Sequence, residues 1–164
     1  MKFTVRKAVE GDIQDICFIL KQALECHHAL LPDIFSDSDI RYSPDELDEM
    51  LDDSGAPIFV AVNENHEVVG YAICFVDNTR GHHLKRLQLF YIDGLCVRED
   101  SRRQGIGSTL LAHCKNYAQR IKCDHLIIKV YDANVAAKAF YEANGMKVFR
   151  QAYTYDLTKE KEAA

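Results

Sequence analysis

The segment from Tyr91 to Ser108 constrains the fold of this chain more than any other part of the sequence. It reads Y-I-D-G-L-C-V-R-E-D-S-R-R-Q-G-I-G-S, so a strand-like run ends at Val97 and a glycine-bearing turn opens an amphipathic helix. Gly105 and Gly107 bring no side chain to that turn, and the first N–H groups of a helix have no partner inside the helix. The segment therefore predicts a strand, turn and helix that together hold an anion such as a pyrophosphate.

The spacing of these glycines excludes two other phosphate-binding loops. A Walker loop needs Lys after its second glycine, where this chain has Ser108. A dinucleotide fingerprint needs a third glycine, where this chain has Leu110. A pair of glycines before a helix also occurs for backbone reasons alone, so the turn by itself does not establish a ligand.

The rest of the chain alternates between strand-like and helix-like patterns, which predicts an α/β or α+β domain. The predicted strands are Phe3–Lys7, Ile58–Asn63, Val68–Val76, Leu87–Val97 and His125–Tyr131, with one or two more within Lys147–Leu157. The predicted helices are Asp12–Leu24, Ser43–Asp53, Gly105–Ile121 and Asn134–Ala143. The segments His27–Ile40 and Asp77–Arg86 are predicted to be irregular, and Gly94 is predicted to mark a bulge in its strand.

Length and charge bound the class of protein. The 164 residues fit one domain, predicted as residues 1–157 with a polar tail at 158–164. A formal charge of -5 opposes a nucleic-acid partner, because phosphate binding needs a concentrated basic face. No apolar run reaches the roughly 20 residues that span a bilayer, and the first residues lack a secretion signal. We therefore expect a cytoplasmic protein without a membrane partner.

The cysteines and histidines do not form a metal-binding pattern. None of the six cysteines falls in a C-x-x-C pair, so they are predicted to be buried thiols in a reducing compartment. The pairs His27–His28 and His82–His83 lack the helical i, i+4 spacing or a nearby set of further ligands. We expect no metal.

Two spaced motifs and the N-terminus make the chain resemble the GCN5-related N-acetyltransferase (GNAT) family. The pyrophosphate motif of that family, Q/R-x-x-G-x-G/A, is matched by Arg102, Gly105 and Gly107. The segment N-V-A-A-K-A-F-Y-E-A-N-G-M is similar to the family's asparagine followed by A-x-x-F-Y-x-x-x-G-F, with Met146 in place of phenylalanine. The opening F-T-V-R-K-A-V-E-G-D is similar to the family's first strand and helix start, so the resemblance covers nearly the whole chain.

The resemblance implies a fold, a cosubstrate and binding residues. The fold would be a single α/β domain with a mixed, mainly antiparallel sheet of six or seven strands and helices on both faces, in a homodimer. Acetyl-CoA would be the cosubstrate, with Asn134 contacting its pantetheine arm. Main-chain groups would bind the rest of the cosubstrate. Those of Leu95, Cys96 and Val97 would hold the acetyl and pantetheine portion. The pyrophosphate would be held by the main chain of Arg102, Arg103, Gln104, Gly105, Ile106, Gly107 and Ser108.

The implied reaction is direct attack of a neutral amine on the thioester through a tetrahedral oxyanion. A fixed N–H group near the distorted strand at Gly94 would stabilise the oxyanion, and Tyr141 would protonate the leaving thiolate. Asp93 is the better candidate for taking the proton of the amine, directly or through water, with Tyr91 as the alternative. If the bulge does not reverse them, both share a face with Leu95, and Cys96 points the other way.

Each assignment has an alternative. Tyr141 also fits a core aromatic residue, and Asp93 also fits a carboxylate that braces a bulge. At the level of the whole protein, the alternatives are a noncatalytic acyl-CoA-binding regulatory domain and a scaffold without a ligand. The acceptor amine is not identified by the sequence.

An acidic run flanks the segment expected to border the acceptor pocket. It would either attract a cationic amine or form a solvated helix face. Its members are Asp37, Asp39, Asp45, Glu46, Asp48, Glu49, Asp52 and Asp53.

Overall fold

The computed structural model describes residues 2–37 and 40–158 of the chain. Met1, Asp39 of the acidic run and residues 159–164 of the predicted tail lie outside the described residues. The described chain divides between Ala133 and Asn134 into two compact units.

The described residues of the first unit form a five-stranded sheet and three α-helices. The strands follow the order β1-β2-β3-β4-β5, antiparallel from β1 to β4 and parallel between β4 and β5. They are β1 (Phe3–Lys7), β2 (Ile58–Asn63), β3 (Val68–Asn78), β4 (Gln88–Val97) and β5 (His125–Ile128). The helices are α1 (Ile13–Leu30), α2 (Pro44–Asp52) and α3 (Ile106–Arg120). The expected mixed, mainly antiparallel α/β architecture is confirmed.

Helices cover both faces of this sheet. One apolar cluster joins Ile16 and Ile19 of α1 and Leu47 of α2 to Val60 and Tyr71 of the sheet. These side chains are all at most 1% exposed, and their burial supplies much of the driving force for folding. Helix α3 lies on the other face.

Close packing of α3 depends on the absence of a side chain at Gly70. A Cβ atom there would lie 3.1 Å from the main-chain oxygen of Cys96 and 3.1 Å from Leu110 of α3. On the same face, the ring of Phe59 meets that of Tyr117 edge to face, with 5.0 Å between centroids. The contact at Gly70 brings the first turn of α3 close to the last residues of β4.

Local signals predicted α2 correctly. The Ser43 hydroxyl accepts a bond from the Glu46 N–H (3.2 Å), and the Glu46 carboxylate accepts one from the Ser43 N–H (2.7 Å). Pro44 occupies the first helical position, as expected from its fixed φ and missing N–H.

Helix α1 extends beyond its predicted end. Irregular structure was expected from His27, but the helix continues to Leu30, because residues 25–30 contain neither glycine nor proline. Pro32 is the first residue that opposes the helix. His27 and His28 therefore lie on the last helical turn rather than in a loop.

The second unit, which begins at Asn134, contains α4 (Val135–Ala143). The Asn134 side chain caps the helix by accepting a bond from the Ala137 N–H (3.1 Å). Gly145 follows with φ +80°, the left-handed conformation in which glycine commonly ends a helix.

The sheet has fewer strands than expected. The one or two closing strands predicted within Lys147–Leu157 are absent from the described residues, and β5 ends at Ile128 rather than Tyr131. The sheet therefore has five described strands instead of six or seven. An apolar pattern within one segment does not specify a partner for its N–H and C=O groups, so the local pattern alone did not determine pairing.

Candidate active site

A bulge distorts β4 at the position predicted from Gly94. Gly94 pairs with Ile73 of β3, whereas the preceding pair joins Ile92 to Cys74. Asp93 is therefore an extra residue in β4, inserted opposite a continuous stretch of β3. Such an insertion bends the strand and re-aims the side chains that follow it.

The bulge reverses the faces expected from simple alternation. Cys96 packs against the apolar cluster between the sheet and helices α1 and α2. The Asp93 carboxylate bonds to Arg41 and Tyr42, and Tyr42 packs against that same cluster. Leu95, adjacent to Cys96, points to the opposite face. The expectation that Asp93 shares a face with Leu95 held only without such a reversal, and the bulge instead places Asp93 on the face of Cys96.

Beyond the bulge, β4 separates from β5. The parallel pairing of the two strands ends at Ile92. The Arg98 N–H donates to the Val69 carbonyl of β3 (2.9 Å), and N–H directions alternate along a strand. The N–H groups of Val97 and Leu95 therefore point away from β3, toward the side where β5 no longer pairs. This opening exposes main-chain donors of two residues predicted to bind acetyl-CoA.

The glycine turn follows directly on this opening. Arg103 and Gly105 both have left-handed backbones, with φ +64° and +80°. Gly105 is the N-cap of α3 and offers no capping side chain, and the first helical bond runs from the Thr109 N–H to the Gly105 carbonyl (3.0 Å). The N–H groups of residues 106–108, which come before Thr109, therefore have no i−4 partner in the helix. Left-handed turns of this kind form concave sites for anions.

The other predicted residues of the turn differ in their contacts and burial. The Nε atom of Arg102 donates to the carbonyl of Val97 (3.2 Å), which ties the turn to the end of β4. Gln104 and Ser108 are exposed, whereas Ile106 is buried and anchors the helix. The structure thus brings the predicted main-chain donors of β4 and the turn side by side.

Asp93 has two close partners that the sequence analysis did not identify. Its Oδ2 atom accepts a bond from Arg41 Nη2 (2.7 Å) and another from the Tyr42 hydroxyl (2.6 Å). The same Nη2 atom donates to the Asp93 carbonyl (3.1 Å). The side chains of Asp93 and Arg41 are each about a third exposed, at 32% and 31%. The alternative base, Tyr91, lies before the bulge.

Burial determines the protonation states of two tyrosines near this carboxylate. Burial, and then the bond to Asp93, raises the pKa of Tyr42 far above its usual range. Burial also raises the pKa of Tyr71, whose hydroxyl would lie 3.5 Å from a Cβ atom at Gly94. Both phenols are therefore protonated at neutral pH.

Cys96 and His27 complete this neighbourhood. Burial raises the pKa of the Cys96 thiol. Burial, followed by the positive charge of Arg41, lowers the pKa of His27. The His27 ring stacks on Phe35 with 4.9 Å between centroids, and its Nδ1 atom is buried without a hydrogen-bond partner among the described residues.

The last two predicted site residues lie in the second unit, on or next to α4. The Asn134 amide oxygen is engaged in the helix cap, while its amide nitrogen carries two donors. Tyr141 meets Phe140 edge to face, with 5.0 Å between ring centroids.

Within residues 2–37 and 40–158, we find no group of three or more His, Cys, Asp or Glu side chains placed to hold a metal ion. None of the helices in those residues has the length and apolar character to cross a membrane.

Comparison with protein families gives a match over most of the chain. The model of the acetyltransferase (GNAT) family matches residues 23–146. Peptidyl-lysine N-acetyltransferase YjaB of Salmonella typhimurium is 26% identical over 161 residues, which cover 97% of this chain and 93% of the relative. L-ornithine N5-acetyltransferase NATA1 of Arabidopsis thaliana is 31% identical over 106 residues, which cover 65% of this chain and 46% of the relative.

Solved structures share the fold. A mutant of the BH1408 protein from Bacillus halodurans superimposes with a TM-score of 0.89 and 26% identity, covering 94% of this chain and 99% of the other. Aminoglycoside N-acetyltransferase AAC(6')-Iy in complex with CoA superimposes with a TM-score of 0.72 over 94% of each chain. Its identity of 14% makes this second likeness one of fold alone.

Proposed function

The chain belongs to the acetyltransferase (GNAT) family and is an acetyl-CoA-dependent acetyltransferase, and we propose that it acetylates a primary amine of a small molecule, peptide or protein. The observation that carries this proposal is the opening of β4 beyond Ile92, directly beside the glycine turn. That opening offers main-chain donors for the acetyl and pantetheine portion, and the turn offers donors for the pyrophosphate. We also propose that residues 1–157 act as one acetyltransferase domain, in a cytoplasmic homodimer.

The main chain and Asn134 would bind acetyl-CoA. The N–H groups of Leu95 and Val97 would hold its acetyl and pantetheine end, with Cys96 between them. The segment from Arg102 to Ser108 would hold the pyrophosphate, and the amide of Asn134 would donate to the pantetheine arm.

The reaction needs one negative charge to be stabilised and two protons to be transferred. As the amine attacks the thioester carbonyl, the oxyanion would be stabilised by a main-chain N–H donor, for which Leu95 is suited by its direction away from β3. Asp93 would take the proton that the amine loses. Tyr141 would protonate the thiolate of coenzyme A as the tetrahedral intermediate collapses.

The class of acceptor that we propose is broader than the acceptors given in the relatives' names. One relative is named for peptidyl-lysine and another for L-ornithine, and both of these acceptors carry a primary amine on a flexible chain. This shared chemistry supports a primary amine as the acceptor. It does not choose between a free metabolite and a protein side chain.

An amine panel tests the proposal against the noncatalytic alternative. The purified protein is incubated with acetyl-CoA and, separately, with a lysine peptide, ornithine, a polyamine and an aminoglycoside, while release of free thiol is followed. We expect release with at least one amine and a matching acetylated product by mass spectrometry. Stabilisation by acetyl-CoA without thiol release for any amine would favour an acyl-CoA-binding regulatory domain. No stabilisation by acetyl-CoA would favour a scaffold.

A further inference from the structure

The segment between α1 and α2 reaches the bulge of β4 through two consecutive side chains. Arg41 and Tyr42 bond to the same carboxylate oxygen of Asp93, at 2.7 and 2.6 Å. Arg41 also holds the Asp93 main chain through its carbonyl. Three bonds therefore hold the bulged residue at two of its atoms, Oδ2 and the carbonyl oxygen.

Both donors keep their protons at neutral pH. A guanidinium is always charged in proteins, and the raised pKa of Tyr42 leaves its hydroxyl as a donor. Bonds from such donors to a carboxylate are short and about twice as strong as bonds between neutral groups. Both bonds converge on Oδ2, and no donor from the described residues contacts Oδ1. With its side chain 32% exposed, Asp93 can accept a further bond at Oδ1.

We propose that Arg41 and Tyr42 are positioning residues for acetyl transfer, which anchor Asp93 through Oδ2 so that Oδ1 faces the acceptor amine. This inference rests on the proposed function. In the step they support, the N–H bond of the acceptor ammonium breaks and an O–H bond forms at Asp93 Oδ1. The nitrogen keeps the electron pair, which then attacks the thioester carbonyl carbon.

Apart from Glu46, the surrounding titratable groups whose pKa is shifted are uncharged near neutral pH. His27 of α1 has a lowered pKa, through burial and then through Arg41, and is neutral. Tyr71 of β3 and Cys96 of β4 have raised pKa values through burial and are also neutral. Glu46 of α2 is ionised but is engaged in the helix cap. The pair formed by Arg41 and Asp93 thus carries the charge beside the bulge.

Further contacts hold described residues between α1 and α2. His28 Nδ1 lies 2.8 Å from the carbonyl oxygen of Phe35, and the Phe35 ring stacks on His27. Arg41 and Tyr42 fix the other end of the segment on β4. Phe35 is thus held on α1, and Arg41 and Tyr42 are held separately on β4.

Four variants test the inference with the best acceptor from the panel. They are Arg41→Met, Arg41→Lys, Tyr42→Phe and a control, Arg80→Met. The Arg80 side chain is 87% exposed, and its one hydrogen-bond partner among the described residues is Asp77, at 3.5 Å. We expect kcat to fall by up to about a hundredfold in Arg41→Met, the scale of a misplaced catalytic group. Tyr42→Phe should lose less, and Arg41→Lys should recover part of the loss. The KM for acetyl-CoA should stay the same in every variant.

A double-mutant cycle separates positioning from support of the fold. If Arg41 acts through Asp93, adding Arg41→Met to Asp93→Asn should lower kcat no further. An equal loss in the wild-type and Asp93→Asn backgrounds, or a wild-type kcat in Arg41→Met, would overturn the inference. If Arg41→Met does not fold, the same cycle is run with Arg41→Lys and Tyr42→Phe.

The same measurements distinguish failure of the proposed function from failure of the positioning role. A wild-type protein that acetylates no amine overturns both proposals. Full activity in Asp93→Asn removes Asp93 as the proton acceptor, and with it the role of Arg41 and Tyr42. Low activity in Asp93→Asn with an additive effect of Arg41→Met overturns the positioning role alone.

Discussion

Arg102 donates from Nε to the carbonyl oxygen of Val97 at 3.2 Å, which ties the glycine turn to the last residue of β4. The proposed sites for the pantetheine portion and the pyrophosphate of acetyl-CoA are therefore joined by a direct contact. A change in the turn should affect cosubstrate binding more than it affects the fold.

Substituting Gly107 with valine tests the turn. Gly107 lies in the first turn of α3, where a branched side chain would block the approach of phosphate oxygens to the N–H groups. We expect Gly107→Val to remain folded and to lose the thermal shift produced by acetyl-CoA. Gly11→Val is the matched control, because a Cβ atom at Gly11 would meet nothing within 4 Å. Unchanged affinity for acetyl-CoA in folded Gly107→Val would falsify the assignment of the turn.

The ion pair between Arg6 and Asp12 should make stability depend on pH. Asp12 is 6% exposed and bonds to Arg6 at 2.6 and 2.9 Å and to the Val9 N–H at 2.9 Å. Burial alone would raise the pKa of Asp12, but the bonds from Arg6 and Val9 prevail and lower it. Stabilisation is then fully present above the unfolded pKa of about 3.9 and is lost as pH falls through the folded value.

We expect Asp12→Asn to lower the free energy of unfolding by about 1 to 3 kcal/mol at pH 7. This difference from wild type should shrink below about pH 4. Urea unfolding between about pH 3 and 7 measures it, with Asp77→Asn as an exposed control for which little change is expected. A difference that stays constant over this range would contradict the prediction.

Sequence signals between residues that are close along the chain predicted the local backbone structure correctly. The capping box at Ser43, the glycine that ends α4 at Gly145 and the bulge at Gly94 each arise from local backbone chemistry. The bond between Arg41 and Asp93 joins residues 52 positions apart, and nothing in a single sequence specifies that pairing. The face of Cys96 depended on the bulge, because one inserted residue changes the direction of every side chain after it.

The acidic helix α2 should be tested without disturbing its cap. Glu46 holds the Ser43 N–H at 2.7 Å, so neutralising it would also weaken the helix. We therefore use Asp48→Asn with Glu49→Gln, and Glu10→Gln with Glu64→Gln as a control outside α2. If the helix attracts a polycationic acceptor, kcat/KM should fall steeply with salt, and less steeply in the α2 variant. A flat salt response in the wild type would favour a solvated helix face.

Removing the hydroxyl of Tyr141 tests the proton donor. Tyr141→Phe keeps the ring and its edge contact with Phe140. Loss of a general acid lowers kcat by about a hundredfold to ten-thousandfold, while acetyl-CoA binding should survive. Tyr153→Phe is the control, since that side chain is 94% exposed and its hydroxyl contacts only Gln151 among the described residues. A wild-type rate in Tyr141→Phe would exclude the acid role and leave the residue as a packed aromatic.

Asp93→Asn distinguishes a proton acceptor from a brace of the bulge. Asparagine keeps the size of the side chain and an oxygen that accepts bonds from Arg41 and Tyr42. An alkyl ammonium has a pKa near about 10, so little free amine is present at neutral pH and more appears as the pH rises. If Asp93 removes the proton, the loss of kcat/KM should be largest at low pH and smaller at high pH.

The measurement is kcat/KM for the best acceptor from about pH 6 to 9.5, together with the melting temperature. Asp124→Asn is the matched control, because Asp124 accepts a bond from the Gln88 N–H at 2.8 Å and braces the start of the same strand. That variant should show a loss that does not depend on pH and follows its stability. The same pattern in Asp93→Asn, parallel to the wild-type profile and accompanied by a lower melting temperature, would identify Asp93 as a brace. A loss that diminishes with rising pH in a protein of wild-type stability would support Asp93 as the group that deprotonates the acceptor.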